Sequence, residues 1–352
     1  MQAIISGIQQ IGIGNKDVHA TFKWYNQHLG MDIQIFEEEA EAALMLPYTG
    51  GEVRQRHAIL AINMQGGGGL EIWQYTSRIP QAPSFDLQLG DLGIYIAKYK
   101  CKNVTDTFRC LQSKGVDILG GIQNSPEGLP HFFCKDLYGN LIEIVPADDW
   151  FTKNKAHTGG VYGCTIGVSN IAQARTVYSD ILGYDQVLYD ERGTFDDLAA
   201  LPRGNQKYRR VLLTHSKKRK GAFSKLLGRS QIELIQALDR KPRKIFKDRF
   251  WGDLGYIHLC FDINGMDALR QLCESKGHPF TADSSDSFDM GEAAGHFAYI
   301  EDPDGTLIEF VETHKVPIMK KINWYLNLRK RNPEKALPNW MVKALSFNRV
   351  KY

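Results

Sequence analysis

The sequence predicts an α+β fold of four β-α-β-β-β modules, forming two domains of curved mixed sheet, followed by a C-terminal helical extension. Three observations predict it. The chain repeats itself at an offset that starts at 153 residues and only ever grows, reaching 166. Within each copy, strand-like alternation yields to one helix-spaced segment and then returns, twice over. Gly and Asp residues punctuate corresponding points of both copies.

The repeat is legible residue by residue. Lys23-Trp-Tyr-Asn-Gln-His-Leu-Gly-Met-Asp32 returns as Thr176-Val-Tyr-Ser-Asp-Ile-Leu-Gly-Tyr-Asp185. Leu70-Glu-Ile72 returns as Ile232-Glu-Leu234, and Gly90-Asp-Leu-Gly93 as Gly252-Asp-Leu-Gly255. Asp136-Leu-Tyr-Gly-Asn-Leu-Ile-Glu143 returns as Asp302-Pro-Asp-Gly-Thr-Leu-Ile-Glu309. Small steps in the offset are what a duplication with loop insertions produces. The largest, seven residues, falls where Lys217-Lys-Arg-Lys-Gly221 sits, a basic stretch that reads as a solvated hairpin loop or, alternatively, as a grip on an anionic substrate.

In chain order, each copy opens on a short strand (Gln9 to Ile13; Tyr162 to Val168) and a helix. The helices carry apolar residues at Val18, Phe22, Tyr25 and Leu29, then at Ile171, Ala174, Tyr178 and Ile181. Asp17 and Asn170 are their N-caps, and Gly30 and Gly183 their C′ residues. Strands follow at Ala58 to Ile62 and Leu70 to Tyr75, and at Val211 to Thr214 and Gln231 to Gln236. A second cycle begins at Leu92 to Ala97 or Tyr256 to Phe261, passes through helices at Val104 to Lys114 or Met266 to Lys276, and ends on strands near Val145 or Val311. A single module cannot bury its sheet, so modules must pair around common clefts. The domain boundaries predicted are 1–150, 158–315 and an extension over 316–352, with Asp148 to Thr158 as the junction.

Composition narrows the function classes. The net charge of +3 hides a tail of +9 from Lys315 onward on a body of −6, which argues against a nucleic-acid-binding face. Apolar runs are strand-sized, too short for a membrane span. The first thirteen residues show no basic, small-residue-terminated leader, and six cysteines without a CxxC pair suit a reducing compartment, so a cytoplasmic monomer or homodimer acting on a small molecule is expected.

The run ending in Glu309 resembles the closing strand of vicinal-oxygen-chelate modules, the superfamily of glyoxalase I, bleomycin-resistance proteins and extradiol dioxygenases, and the resemblance covers residues 8 to 314. That family implies metal ligands on the first and last strands of each module. Carried over, the positions are Gln10 and Glu71 in the first module, Ile96 and Glu143 in the second, Gly163 and Glu233 in the third, and His258 and Glu309 in the fourth. If modules pair within a copy, both sites are defective. If the first pairs with the fourth, one site is whole: Gln10, Glu71, His258 and Glu309. This set looks like that of glyoxalase I.

Two carboxylates, an imidazole and an amide oxygen suit Zn²⁺, Ni²⁺, Co²⁺ or Mn²⁺ and leave coordination positions open. The resemblance then implies a lyase or isomerase that moves a proton between neighbouring carbons through a metal-stabilised enediolate on an oxo substrate or its thiol adduct. Glu309 is the first choice of base, with Glu71 assisting. Glu143 and Glu233, lacking a full set, read as hydrogen-bonded structural groups. His131 and His296 are left without a role. An extradiol dioxygenase would need two His and one Glu, and a metal-free binding protein of the bleomycin-resistance type would need none of the set. In the extension, Ile318, Ile322, Tyr325 and Leu328 fall at helical spacing, which predicts a basic amphipathic helix packed across the domains or, alternatively, on an anionic membrane.

Overall fold

The computed structural model of the protein describes residues 3–285, 288–289, 294–319 and 324–352. The first module comprises β1 (Ile4–Gly14), α1 (Val18–Leu29), β2 (Ile33–Glu41), β3 (Gln55–Ile62) and β4 (Gly69–Tyr75). The second comprises β5 (Gly93–Cys101), α2 (Val104–Ser113), β6 (Asp117–Asn124), β7 (Pro130–Lys135) and β8 (Leu141–Pro146). The third holds β9 (Thr158–Gly167), α3 (Ile171–Arg175, continued by a π-helical turn over Thr176–Ile181), β10 (Gln186–Gly193), β11 (Tyr208–Thr214), the short helix α4 (Ser224–Leu227) and β12 (Gln231–Ala237). The fourth holds β13 (Gly255–Asn264), α5 (Met266–Ser275), β14 (Ala282–Asp283), β15 (Phe288–Asp289), β16 (Ala294–Glu301) and β17 (Leu307–Met319). β18 (Trp324–Asn327) and α6 (Asn339–Ala344) belong to the extension.

Local chemistry sets the helix ends. Asp17, Asn103 and Asn170 are extended residues whose side chains accept from the backbone N–H three residues on, and Gly30 closes α1 in the left-handed region at φ 66°.

Each sheet takes one module from each half of the chain. The first runs β14-β16-β17-β13-β1-β4-β3-β2, and the second β10-β11-β12-β9-β5-β8-β7-β6. The first module therefore pairs with the fourth, through antiparallel β1 and β13, and the second with the third, through antiparallel β5 and β9. Within each module the first and last strands are parallel neighbours.

Repeated residues turn out to be the ones that fasten the two sheets. Tyr25 of α1 donates to Asp136 Oδ2 at 3.0 Å, and its counterpart Tyr178 donates to Asp302 Oδ2 at 2.9 Å, all four groups being buried. Each bond satisfies a carboxylate that burial pushes above its ordinary pKa. The repeated Gly-Asp-Leu-Gly turns also have a physical reason. A Cβ on Gly14 would stand 2.0 Å from the Asp253 carbonyl oxygen, and one on Gly167 1.8 Å from that of Asp91, so only glycine admits the turn against the end of the strand.

The extension corrects the expected helix. Val316 and Ile318 lie in β17, which runs on to Met319, while Tyr325 lies in β18, which pairs with it antiparallel (Val316 with Leu326); Leu328 follows just after. Ile322 lies outside the described residues. The reason is an unfinished edge. β13 pairs with β17 only as far as Val311, so the strand beyond has free N–H and C=O groups, and an aromatic, extended segment satisfies them better than a helix would. Helix appears later, at α6 and a 3₁₀ turn over Leu345–Asn348, where Leu337, Val342 and Leu345 bury against Ile33, Ile62 and Leu226. Lys217, Lys218 and Lys220 of the insertion are solvated as expected, whereas Arg219 donates to the Leu182 carbonyl and stands over the Tyr184 ring.

Candidate metal centre

Four neighbouring strands of the first sheet bring Gln10 (β1), Glu71 (β4), His258 (β13) and Glu309 (β17) together. The register does it: Gly12 lies opposite both Glu71 and His258, and Cys260 opposite Glu309. Gly12 makes the space, since a Cβ there would lie 2.4 Å from the His258 ring. His258 Nε2 stands 3.1 Å from Glu71 Oε2 and 3.1 Å from Glu309 Oε2. Ligand atoms of these three residues all lie within 4.8 Å of one another. Gln10 Nε2 donates to Glu71 Oε2 at 3.2 Å, which leaves its amide oxygen turned away from that bond.

The polar atoms are unfinished. His258 Nε2 and Glu309 Oε2 face one another as an ion pair, while Gln10 Oε1 and His258 Nδ1 are buried without a partner. Such atoms are rare and costly in a native interior. A donor set of two carboxylates, an imidazole and an amide oxygen, with the amide oxygen and one ring nitrogen unpaired, fits a divalent cation. Burial disfavours the His258 cation, but Glu309 and Glu71 override it and raise the imidazole to about 10. Burial likewise disfavours the Glu309 anion, which His258 nonetheless holds below the usual carboxylate range. Burial and Glu309 push the Cys260 thiol up, so it is no ready thiolate ligand. The imidazole is held by Trp251, stacked at 6.3 Å, and Tyr299, edge-on at 5.6 Å. Beside the cluster lies a cavity of about 140 Å³, open to Gln10, Glu71 and Glu309.

The second sheet carries the matching positions with a different filling. Ile96 occupies the register point of His258, opposite the residue two before the closing Glu, and Gly163 that of Gln10. Glu143 and Glu233 are present and buried, but Lys98 Nζ bridges them, at 2.8 Å from Glu233 Oε2. Arg210 donates to Glu233 and to both oxygens of Asp197; Tyr189 and Thr165 donate to Glu233. His131 stands 2.9 Å from Glu143 and 3.4 Å from Asp197. Lys98 and Arg210 are the residues that sequence reasoning missed. The available signal was the alternation Ile94, Ile96, Lys98, Lys100 on β5, which puts lysines where a strand should bury apolar groups. His296 is buried away from both clefts, paired with Asp283 at 2.6 Å. Among the described residues one further group could gather around an ion, His19, Glu37 and His57, and it is largely solvent-exposed.

Known proteins of similar sequence and fold place these observations in context. A model described as glyoxalase/bleomycin resistance protein/dioxygenase superfamily matches residues 7–144, and another of the same description matches residues 164–299. Among solved structures, glyoxalase I from Zea mays is similar at a TM-score of 0.53, with 12% identity over 88% of this chain and 92% of that chain. A putative dioxygenase from Bacillus subtilis is similar at 0.53, with 13% identity over 88% of this chain and 86% of that one. At such identities the likeness is one of fold. No curated protein sequence matches this one.

Proposed function

This chain belongs to the glyoxalase/bleomycin resistance protein/dioxygenase superfamily, and on that premise we propose that it is a metal-dependent lyase or isomerase of the glyoxalase I type, acting on a small oxo compound. The observation that carries the reading is the convergence of Gln10, Glu71, His258 and Glu309, with Gln10 Oε1 and His258 Nδ1 buried without a partner. These four would hold Zn²⁺, Ni²⁺, Co²⁺ or Mn²⁺. Such an ion, when bound, supplies Lewis acidity toward the substrate's oxygens.

The chain's own residues supply the rest. Glu309 is the base: it lines the cavity and His258 holds its carboxyl below the usual range, so it can take a carbon-bound proton and return it to the adjacent carbon. Glu71 faces the same cavity and can assist. Gln10 offers a neutral oxygen, oriented by the bond its nitrogen gives Glu71. Trp251 and Tyr299 fix the imidazole and exclude water from its flanks. A single His among the donors favours this chemistry over the two-His, one-Glu set of an extradiol dioxygenase.

Elemental analysis of metal-replete protein tests the proposal. About one ion per chain is expected, lost in His258→Ala and retained in Lys98→Met; equal metal content in wild type and His258→Ala would sink it. The reading includes a cytoplasmic protein without nucleic-acid or membrane partners. Among the described residues no helix is long and apolar enough to cross a membrane, and all six cysteines are free thiols.

A further inference from the structure

The cavity beside the four converging side chains is walled by hydrocarbon. Phe36 of β2, Leu60 and Ile62 of β3, and Val311 of β17 face it from the sheet. Its cover is Leu226 and Leu227 of α4, joined by Val316 and Leu345 of the extension. Neither covering segment has a counterpart in the sequence repeat: α4 lies in the insertion that the other sheet makes between β11 and β12, and the extension follows the second copy. The docking is built rather than incidental. Leu226 O accepts from Gly67 N at 2.9 Å, the Leu227 side chain seats over Gly7, and Leu345 and Leu226 share one buried cluster. Two unrelated parts of the chain thus converge on one cleft, and both present it with apolar side chains.

Charge on the lining is sparse. Apart from Glu71 and Glu309, Lys315 is the charged side chain there among the described residues. Glu309, Val311, Thr313 and Lys315 follow one another along one face of β17, which sets Lys315 about 20 Å from Glu309 at the strand rise. Lys315 therefore marks the far mouth, where its ammonium lies 4.1 Å from the Tyr325 ring.

We propose that the substrate carries its reacting oxygens on a head and extends an apolar tail, roughly the size of an octyl or phenyl group, beneath α4 and the C-terminal extension. Adducts of glutathione are excluded by the same lining, because a peptide with two carboxylates and an ammonium would meet hydrocarbon along most of its length and one distant cation. The placement of the head rests on the metal-centre reading; the tail does not.

Hydroxamates, which chelate divalent ions through a constant head, separate the two. On Mn²⁺-loaded protein, calorimetric affinity is expected to rise at least about thirtyfold from acetohydroxamate to octanohydroxamate, with benzohydroxamate between, given roughly a fourfold gain per buried methylene and burial of about half of the added chain. Millimolar glutathione should not displace octanohydroxamate. Equal affinity across the series, or displacement by glutathione, overturns the proposal. Acetamide and octanamide, which do not chelate, are titrated into metal-free protein. A protein that takes up no metal yet prefers octanamide refutes the metal centre and leaves the tail site standing. A protein that binds metal with no tail preference in either series does the reverse. Leu226→Glu and, on the other covering segment, Leu345→Glu should each abolish the preference without changing metal content. The series on the unaltered protein decides the matter however those variants fold.

Discussion

The two clefts of this protein solve one electrostatic problem in opposite ways. Each carries two glutamates at equivalent register, half-buried Glu71 with buried Glu309 in one and buried Glu233 with buried Glu143 in the other. In the second, Lys98 stands between the carboxylates, and Arg210, His131, Tyr189 and Thr165 complete their partners. In the first, His258 stands between Glu71 and Glu309, and Gln10 donates to Glu71. A buried carboxylate pair needs a cation. The second cleft sets a lysine and an arginine against its carboxylates, while the first sets an imidazole, raised to about 10, between its pair. The difference teaches that equivalent register positions can keep their carboxylates while the cations that balance them differ.

Breaking that balance should give the largest effect. Lys98→Met removes the cation that bridges two buried carboxylates and leaves Glu233 to Arg210 and Glu143 to His131, with an expected loss of about 3–5 kcal/mol in urea unfolding at neutral pH. Recovery of part of that loss on adding Mn²⁺ would show that the second cleft can still host a divalent ion; a neutral substitution would erase the contrast between clefts. A return to the other cleft's full set is sterically blocked, because a Cβ at Gly163 would meet Gln231 O at 1.7 Å.

Next in size is the response of the first cleft to metal. Saturating ion at a hundredfold excess over its Kd should stabilise the wild type by about 2.7 kcal/mol, seen as a rise in Tm, and should do nothing for His258→Ala. Tyr25→Phe and Tyr178→Phe then sharpen the comparison from the scaffold's side. Each leaves a buried carboxylate short of a donor, and each should cost about 1–3 kcal/mol in equilibrium unfolding. Equal costs would mean that the duplicated framework is held alike on both sides while the clefts diverged.

The most gradual effect is a pH dependence of the second cleft. Burial disfavours the His131 cation, but hydrogen bonding to Asp197 and Glu143 raises it to about 9. A raised imidazole contributes stability that is fully present below its unfolded value of about 6.5 and is lost as pH climbs through 9. Unfolding free energy should therefore fall by up to about 1.4 kcal/mol per pH unit across that window, and His131→Gln should flatten the slope.

Legibility in the sequence tracked locality. Asp17, Asn170, Gly30 and the 3.6-residue spacing of Val18, Phe22, Tyr25 and Leu29 read directly as helix, since capping and amphipathicity involve neighbours three or four residues apart. The four side chains of the first cleft were legible through their place in the repeat and its resemblance to a family. Glu143 and Glu233 were readable as structural groups, but not the identity of their partners. Ile318 and Tyr325 misled because helical spacing was present, whereas the edge along which β17 and β18 pair is set by strands from elsewhere in the chain.

What the sequence determined by itself is therefore the set of modules, their order and their duplication, because each strand and helix is specified by contacts within a few residues. Which modules share a sheet, and which cation enters which cleft, was left to tertiary structure. Lys98 and Glu233 are 135 positions apart, and Gln9 and Asp262 253. No local pattern encodes such a meeting; it follows only when two half-sheets bury their open edges against each other and the charges they carry inward must be neutralised where they land.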